Sequence, residues 1–154
     1  MDSFRFVHAA DLHIDSPFAG VGDADNRVAT RLREATFEAF QNLVDLCINQ
    51  KADFLVIAGD VYDGADRSVR AQLRFRDGLS KLAEAGIQSF VVHGNHDPLD
   101  GWQSSISWPE GVHIFGATPE WKNFEKNGEI VAAIQGISYP TREVTDNLAT
   151  QFTP

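Results

Sequence analysis

Three short polar clusters in the sequence contain the residue types from which metal centres are built: Asp11-Leu12-His13, Gly59-Asp60 and Gly94-Asn95-His96-Asp97. Aspartate, asparagine and histidine offer the oxygen and imidazole ligands that Mn, Fe, Zn and Mg accept. The side chains of Asp11 and His13 leave an extended chain on the same side, and a carboxylate such as that of Asp60 can bridge two cations. Two cations about 3.5–4 Å apart can clamp a phosphoryl group. The clusters therefore predict a site for hard metal ions, and a pair of such ions could hold a phosphoryl group.

Each cluster follows an apolar segment typical of a β-strand, at residues 4–9, 54–58 and 87–93. Between these segments, apolar residues recur every three or four positions over residues 28–50 and 68–85, which predicts two helices. The order strand–helix–strand–helix–strand predicts a parallel sheet with right-handed crossovers. Since ligands bind at the carboxyl ends of parallel strands, we expect the fold to bring all three clusters to one edge of the sheet.

The same periodicity predicts which side of each helix is buried. The first helix is expected to bury Val28, Leu32, Ala35, Ala39, Leu43 and Leu46. The second helix is expected to bury Leu73, Leu79 and Leu82 and to end at Gly86. We interpret Arg67, Arg70 and Arg74 as a solvated face of this helix rather than a contact to phosphate. Cys47 is interpreted as a small core residue.

Beyond Asp97 the sequence changes character. Residues 98–111 contain several prolines and glycines and are predicted to form a loop, followed by a short strand at residues 112–115. Asn127-Gly128 separates two further segments and indicates a β-hairpin, because both residues accept positive φ. Residues 142–149 are predicted to start a helix. The predicted fold class is therefore α/β, with a parallel βαβαβ unit followed by a β-hairpin region.

Composition limits the functions that the chain can serve. Its 154 residues, 43% of them hydrophobic, suffice for one domain with a hydrophobic core. The formal net charge of −9 argues against a nucleic-acid binder, and two bound divalent cations would reduce it only to −5. No apolar run approaches the ~20 residues of a membrane helix, and no signal peptide is recognisable. The single cysteine fits a reducing setting, so we expect a cytoplasmic protein.

The ordered clusters resemble the first three motifs of the calcineurin-like metallophosphoesterases: Asp11-x-His13, Gly59-Asp60-x-x-Asp63 and Gly94-Asn95-His96-Asp97. Residues 8–18, 92–98 and 136–139 resemble the DNA-repair exonuclease (SbcD-like) branch, which includes nuclease subunits of double-strand-break repair complexes. The resemblance implies the N-terminal half of an α/β/β/α sandwich, with residues 1–154 in one metallophosphoesterase domain. The implied activity is metal-dependent hydrolysis of phosphodiesters, with DNA as the substrate.

The resemblance also implies a role for each motif residue. Asp11, His13 and Asp60 would hold one metal ion, and Asp60 and Asn95 would hold the second. His96 would protonate the leaving oxygen or stabilise the transition state, and Asp97 would orient His96. A hydroxide bridging the two ions would be the nucleophile. The implied metal is manganese, although the ligands also suit Fe, Zn or Mg, and the implied protein partner of the full-length chain is an ATPase subunit or a second copy.

Two later motifs of the family are not found in this sequence, namely a histidine after a later strand and Gly-His-x-His. Of the five histidines only His113 follows the third motif, and it comes too early. The chain thus looks truncated, and we expect weak binding of the second metal and no robust catalysis from these residues alone. Two alternatives stay open: hydrolysis of a small phosphate ester, which the acidic composition favours, and a non-catalytic interaction module.

Residues beside the motifs have simpler interpretations. Asp63 either supports the metal site or caps the following helix. His8 and His93 precede their motifs on strands and are predicted either to be buried or to support the metal ligands, with a structural rather than a catalytic role. Trp102 and Trp108 lie in the loop after the third motif and are predicted to pack beneath it rather than to line a substrate path.

Overall fold

The computed structural model describes residues 3–16, 26–64, 67–101 and 106–152. Its elements are β1 (Phe6–Ala9), α1 (Asn26–Asn49), β2 (Phe54–Ala58), α2 (Val69–Glu84), β3 (Gln88–Val92), β4 (Val112–Ile114), β5 (Glu120–Lys126), β6 (Glu129–Gly136) and a 3-10 turn (Leu148–Gln151). Strands β1 to β4 form a parallel sheet in that order, and β5 and β6 form a separate antiparallel pair. The predicted α/β class, with its parallel unit and hairpin, is confirmed.

The parallel sheet separates two apolar clusters because successive side chains of a strand point to opposite faces. Leu55 and Ile57 of β2 pack with the side chains of α1 and α2. Phe54 and Val56 of the same strand pack with the side chains of β5 and β6. The helices therefore cover one face and the antiparallel pair covers the other, which explains why β2 is apolar at nearly every position.

The buried side of α1 differs from the predicted one. Its core residues are Phe37, Phe40, Val44 and Cys47, and Cys47 is buried as predicted. Val28 and Leu46, by contrast, are each 46% exposed. A spacing of three or four residues fits both the predicted and the observed apolar stripe of α1. The stripe that contains the phenylalanines is the buried one, because aromatic rings remove the most apolar area from water. Gly78 of α2 admits the ring of Phe40, since a Cβ there would lie 2.4 Å from it.

The ends of α2 agree with the prediction. Ser68 is the N-cap, and its hydroxyl accepts a hydrogen bond from the amide of Ala71. Gly86 follows the last turn with a φ of +77°, the left-handed conformation that ends many helices. Leu79 and Leu82 are fully buried, but the prediction for Leu73 is wrong, since it is 37% exposed.

The second half of the described chain is less regular than expected. The predicted helix at residues 142–149 is present only as the 3-10 turn. The hairpin forms at Asn127-Gly128 as predicted, with both residues at positive φ. Neither helix of the described residues combines the length and apolar character needed to cross a bilayer.

Candidate metal centre

The loops after β1 and β2 run side by side beyond the end of the sheet. The amide of Asp11 donates to the carbonyl of Gly59 at 3.2 Å, and that of His13 donates to the carbonyl of Asp60 at 3.1 Å. The amide of Ile14 continues the ladder. This pairing extends the parallel register of the strands, so the first two motifs are held at a defined separation.

The loop after β3 crosses the second motif at very short range. The amide of His96 donates to Oδ1 of Asp60 at 3.0 Å. A Cβ on Gly94 would lie only 2.2 Å from the same carboxylate oxygen. Glycine is therefore required at this position, because any side chain would displace the carboxylate of Asp60. All three predicted clusters meet at one edge of the sheet, as expected.

The backbone is strained where the motifs meet. Asp11, His13, Asp15 and Asp60 have φ values of 54°, 43°, 66° and 52°. Non-glycine residues rarely adopt this left-handed region, and each such residue costs of order 1–3 kcal/mol unless its surroundings hold it. The inter-loop hydrogen bonds supply that restraint. Strain that clusters in this way is typical of functional sites.

Two groups of side chains are placed to hold a cation. Donor atoms of Asp11, His13 and Asp60 all lie within 4.8 Å of one another, and so do those of His13, Asp63 and His96. Nε2 of His13 is 4.0 Å from Oδ1 of Asp11. Metal–ligand bonds of about 2.0–2.2 Å bring neighbouring ligand atoms to about 3–4 Å, so the first group fits a metal ion after small side-chain movements.

Asn95, the remaining predicted ligand, is exposed between Gly94 and His96. Its position on the loop that crosses Asp60 is the one expected of a ligand to a second ion. The ligand roles themselves stay predictions.

Asp63 lies between the imidazoles of His13 and His96 and does not cap a helix. The N-cap of α2 is Ser68. Oδ1 of Asp63 is 3.0 Å from Nδ1 of His96 and 3.8 Å from Nδ1 of His13. The hydroxyl of Ser16 donates to its other oxygen at 2.7 Å. The hydrogen bond from Ser16 outweighs the opposing effect of burial and, together with His96, lowers the pKa of Asp63. The spacing Gly-Asp-x-x-Asp was the signal for this residue, and the structure favours the supporting interpretation.

Asp97 makes different contacts from those predicted. Its fully buried carboxylate accepts hydrogen bonds from the amides of Val61 at 3.0 Å and Gly94 at 2.7 Å. Its third partner is Nδ1 of His93 at 2.9 Å, whereas the imidazole of His96 pairs with Asp63. Asp97 therefore braces the loop that carries His96 and does not orient the His96 ring. The reason is that its side chain points into the core, beneath the loop.

The histidines on strands have unequal surroundings. His93 is 3% exposed, as predicted, and its amide donates to the hydroxyl of Ser138. His8 is exposed on the edge strand β1, so its predicted burial is wrong. His113 pairs with Glu120 at 3.0 Å, away from the motifs.

Two other sequence predictions concern residues around the third motif. Arg67 is not part of a solvated helix face; it precedes α2 and is 3% exposed. Arg70 is exposed and pairs with Glu34. Trp108 packs edge-on against Phe75, with ring centroids 5.9 Å apart, which confirms its structural role. Trp102 lies outside the described residues.

Comparison with known proteins agrees with this site. The family profile described as calcineurin-like phosphoesterase matches residues 4–151. An uncharacterized metallophosphoesterase of Bacillus subtilis, YhaO, is 43% identical over 153 residues, which are 99% of this chain and 38% of that protein.

Two relatives at lower identity have names that describe nucleases or DNA repair. The DNA double-strand break repair protein Mre11 of Methanococcus maripaludis is 30% identical over 93 residues, 60% of this chain and 23% of its own length. A subunit of the nuclease SbcCD of Bacillus subtilis is 29% identical over 143 residues, 89% of this chain and 34% of its own length. The chain thus spans less than two-fifths of each of these three relatives. The profile match and the motif geometry together establish that the chain belongs to the calcineurin-like phosphoesterase family.

Proposed function

We propose that this chain is the catalytic part of a divalent-metal-dependent phosphodiesterase that cleaves DNA. The observation that supports this most directly is the convergence of Asp11, His13 and Asp60 at the carboxyl edge of the sheet, with donor atoms within 4.8 Å of one another. The names of the Mre11 and SbcCD relatives support DNA as the substrate. Because the SbcCD relative is itself one subunit of a nuclease, it also supports a protein partner for the whole protein.

The donor set suits hard divalent cations such as manganese. Asp11, His13 and Asp60 would hold one ion, and Asp60 with Asn95 would hold part of the shell of a second. Bound in a pair, such ions activate water and neutralise charge on the phosphoryl group. Further ligands to the second ion would come from a longer chain, so we propose that its affinity here is low.

His96 would act on the leaving oxygen. Its side chain is 39% exposed, so a substrate reaches it from solvent. Because Nδ1 faces the carboxylate of Asp63 at 3.0 Å, Nε2 is the nitrogen left to face the substrate. With its proton on Nε2, the ring can donate to the leaving alkoxide in the transition state. Asp63 fixes the tilt of this ring, as carboxylates do for the imidazoles that they contact.

Calorimetric titration with Mn²⁺ tests the proposal, beside hydrolysis of bis-p-nitrophenyl phosphate. We expect the chain to bind the ion, and Asp60→Ala to weaken binding at least about 100-fold, because a ligand shared by both ions is lost. Asp45→Ala removes an exposed carboxylate of α1 and is the matched control. Equal binding by wild type and Asp60→Ala would refute the metal site.

The acidic composition favours a second candidate, a phosphodiesterase for small molecules. The net charge of −9 repels a long polyanion more than it repels a single phosphate ester. Comparing the hydrolysis of single-stranded DNA, double-stranded DNA and bis-p-nitrophenyl phosphate separates the two candidates. Turnover of the small ester without DNA cleavage, in a metal-loaded protein of full length, would favour the second.

A further inference from the structure

Arg67 is the only lysine or arginine buried among the residues that the structure describes, at 3% exposure. Burying a guanidinium is costly because the charge loses its hydration, and most buried charges are compensated by a partner of opposite charge. Burial accordingly lowers the pKa of Arg67, although the nearby carboxylate of Asp97 opposes this. The cost calls for an explanation in the contacts that the side chain makes.

Those contacts go to the backbone of the third motif. Nη2 of Arg67 donates to the carbonyls of both Asp97 and Pro98. The guanidinium also lies 5.6 Å from the centre of the Tyr62 ring. Neither hydrogen-bond acceptor is a carboxylate, so the residue does not form a simple ion pair. Its Nη2 atom instead donates to two consecutive carbonyls and so ties them together.

Residues 98–101 form a turn that packs closely against the guanidinium of Arg67. The carbonyl of Pro98 also accepts the amide of Gly101 at 3.1 Å, which closes the turn. A Cβ on Gly101 would lie 3.0 Å from Nη2 of Arg67. A side chain at residue 101 would require the guanidinium or the carbonyl of Pro98 to move by a few tenths of an ångström, so the turn and the arginine are closely packed.

The loop of the third motif is consequently held at both ends. At the start of the loop the amide of Gly94 donates to the carboxylate of Asp97, which also accepts the amide of Val61. At the end of the loop Arg67 donates to the carbonyls of Asp97 and Pro98. Asn95 and His96 lie between these restraints.

We propose that Arg67 is a positioning residue, which fixes the loop so that Asn95 reaches the second cation and His96 reaches the substrate. This role rests on the proposed metal-dependent function. A buried charge contributes little net stability on average, since an apolar replacement of similar size is often tolerated. The role therefore concerns the geometry of the site more than the stability of the fold.

Three variants test the role. Arg67→Met keeps the length of the side chain and removes its hydrogen bonds, and Arg67→Lys keeps the charge and replaces the planar guanidinium by a compact ammonium group. Arg76→Met is the matched control, because Arg76 lies on α2 and pairs with Asp77 away from the motifs. Each is compared with wild type in a protein of full length, by amide hydrogen exchange at residues 94–101, by Mn²⁺ titration and by the kcat and KM for bis-p-nitrophenyl phosphate.

In Arg67→Met we expect at least about tenfold faster exchange at the amides of residues 94–101, with unchanged exchange in β1 to β3. Affinity for the second cation and kcat should fall about 10–100-fold, as is usual when a residue that orients a ligand is removed. Affinity for the cation at Asp11, His13 and Asp60 should change less than about threefold, and so should KM. Arg67→Lys should lie between Met and wild type, and Arg76→Met should match wild type.

A folded Arg67→Met with wild-type exchange at residues 94–101 and wild-type affinity for the second cation would overturn the proposal. Equal loss at both cations would also overturn it, since that result indicates general destabilisation. If Arg67→Met does not fold, the same criteria apply to Arg67→Lys. Failure of the wild type itself to bind Mn²⁺ would instead refute the proposed function, while the exchange comparison would still show whether Arg67 holds the loop.

Discussion

The carboxylates at the two ends of the parallel sheet have different partners. At the carboxyl end, the ion pairs of Asp11, Asp63 and Asp97 within the described residues are all with histidine. At the amino end, Asp53 pairs with Lys126 at 2.9 Å and accepts the amide of Arg5 at 2.7 Å. Of the carboxylates at the carboxyl end, Asp11 and Asp63 face imidazoles rather than ammonium groups and keep lone pairs and negative charge for a metal ion, whereas the buried Asp97 braces the loop.

The amino end also has an opening, which makes the comparison instructive. A cavity of about 440 Å³ lies there, lined by residues that include Lys51, Asp53, Phe124 and Lys126. It is larger than a metal site needs, and the carboxylate of Asp53 in its lining is already paired with Lys126. Size alone therefore does not identify the functional end of this molecule; carboxylates that face imidazoles and a cluster of four strained residues do.

Glycine substitutions provide the largest expected contrast between the ends. Gly94→Ala would place a Cβ 2.2 Å from Oδ1 of Asp60, so we expect at least about 100-fold weaker Mn²⁺ binding and a loss of about 2–4 kcal/mol of unfolding free energy. Gly86→Ala meets no atom within 4 Å and carries only the cost of its positive φ, about 1 kcal/mol, with unchanged metal affinity. Calorimetry and urea denaturation measure both. Similar metal affinities in the two variants would contradict the close crossing of the loops.

Asp97→Asn is expected to have the next largest effect. The replacement turns one acceptor of a fully buried carboxylate into a donor that faces an amide or the imidazole of His93, so we expect a loss of about 2–4 kcal/mol of unfolding free energy. Asp45→Asn, on the exposed side of α1, should change the unfolding free energy by less than about 0.5 kcal/mol. Urea denaturation at neutral pH compares them. A small effect at residue 97 would mean that its hydrogen bonds do not brace the loop.

The smallest effect is expected from Asp53→Asn at the amino end. Burial opposes its ionisation, but Lys126 and the amide of Arg5 hold the pKa of Asp53 below its ordinary value of 3.8. A carboxylate with a lowered pKa in the folded state stabilises the protein above its unfolded pKa and loses that contribution as the pH falls through the folded pKa. We therefore expect the variant to lose less than about 1 kcal/mol at pH 7, with the difference shrinking as the pH falls below 3.8 and through the folded pKa.

The pH series for Asp53→Asn is measured by urea denaturation, with Mn²⁺ affinity recorded beside it. Metal affinity should equal that of wild type, because the carboxylate lies at the other end of the sheet. A stability difference that grows as the pH falls would show that Lys126 does not lower the pKa of Asp53 in the folded state.

The periodicity of the sequence predicted most of the helices and strands. The bounds of α1, α2 and β1 to β3 follow the predicted segments within a few residues, since each depends on the periodicity of consecutive side chains. The periodicity of the sequence did not predict which of the two overlapping apolar stripes of α1 is buried. It also predicted a helix at residues 142–149, where the structure has only a 3-10 turn. In both places packing against other elements decides the outcome.

The sequence by itself determined that three polar clusters follow three parallel strands, and hence that Asp11, Asp60 and His96 would meet at one edge. Only the tertiary structure decided which side chains pair there: Asp63 with His96, Asp97 with His93, and Arg67 with the carbonyls beyond the third motif. These pairings depend on how loops from different strands cross. No spacing within a single loop encodes such a crossing, because its partners are 30 or more residues away in the chain for Asp63 and Arg67.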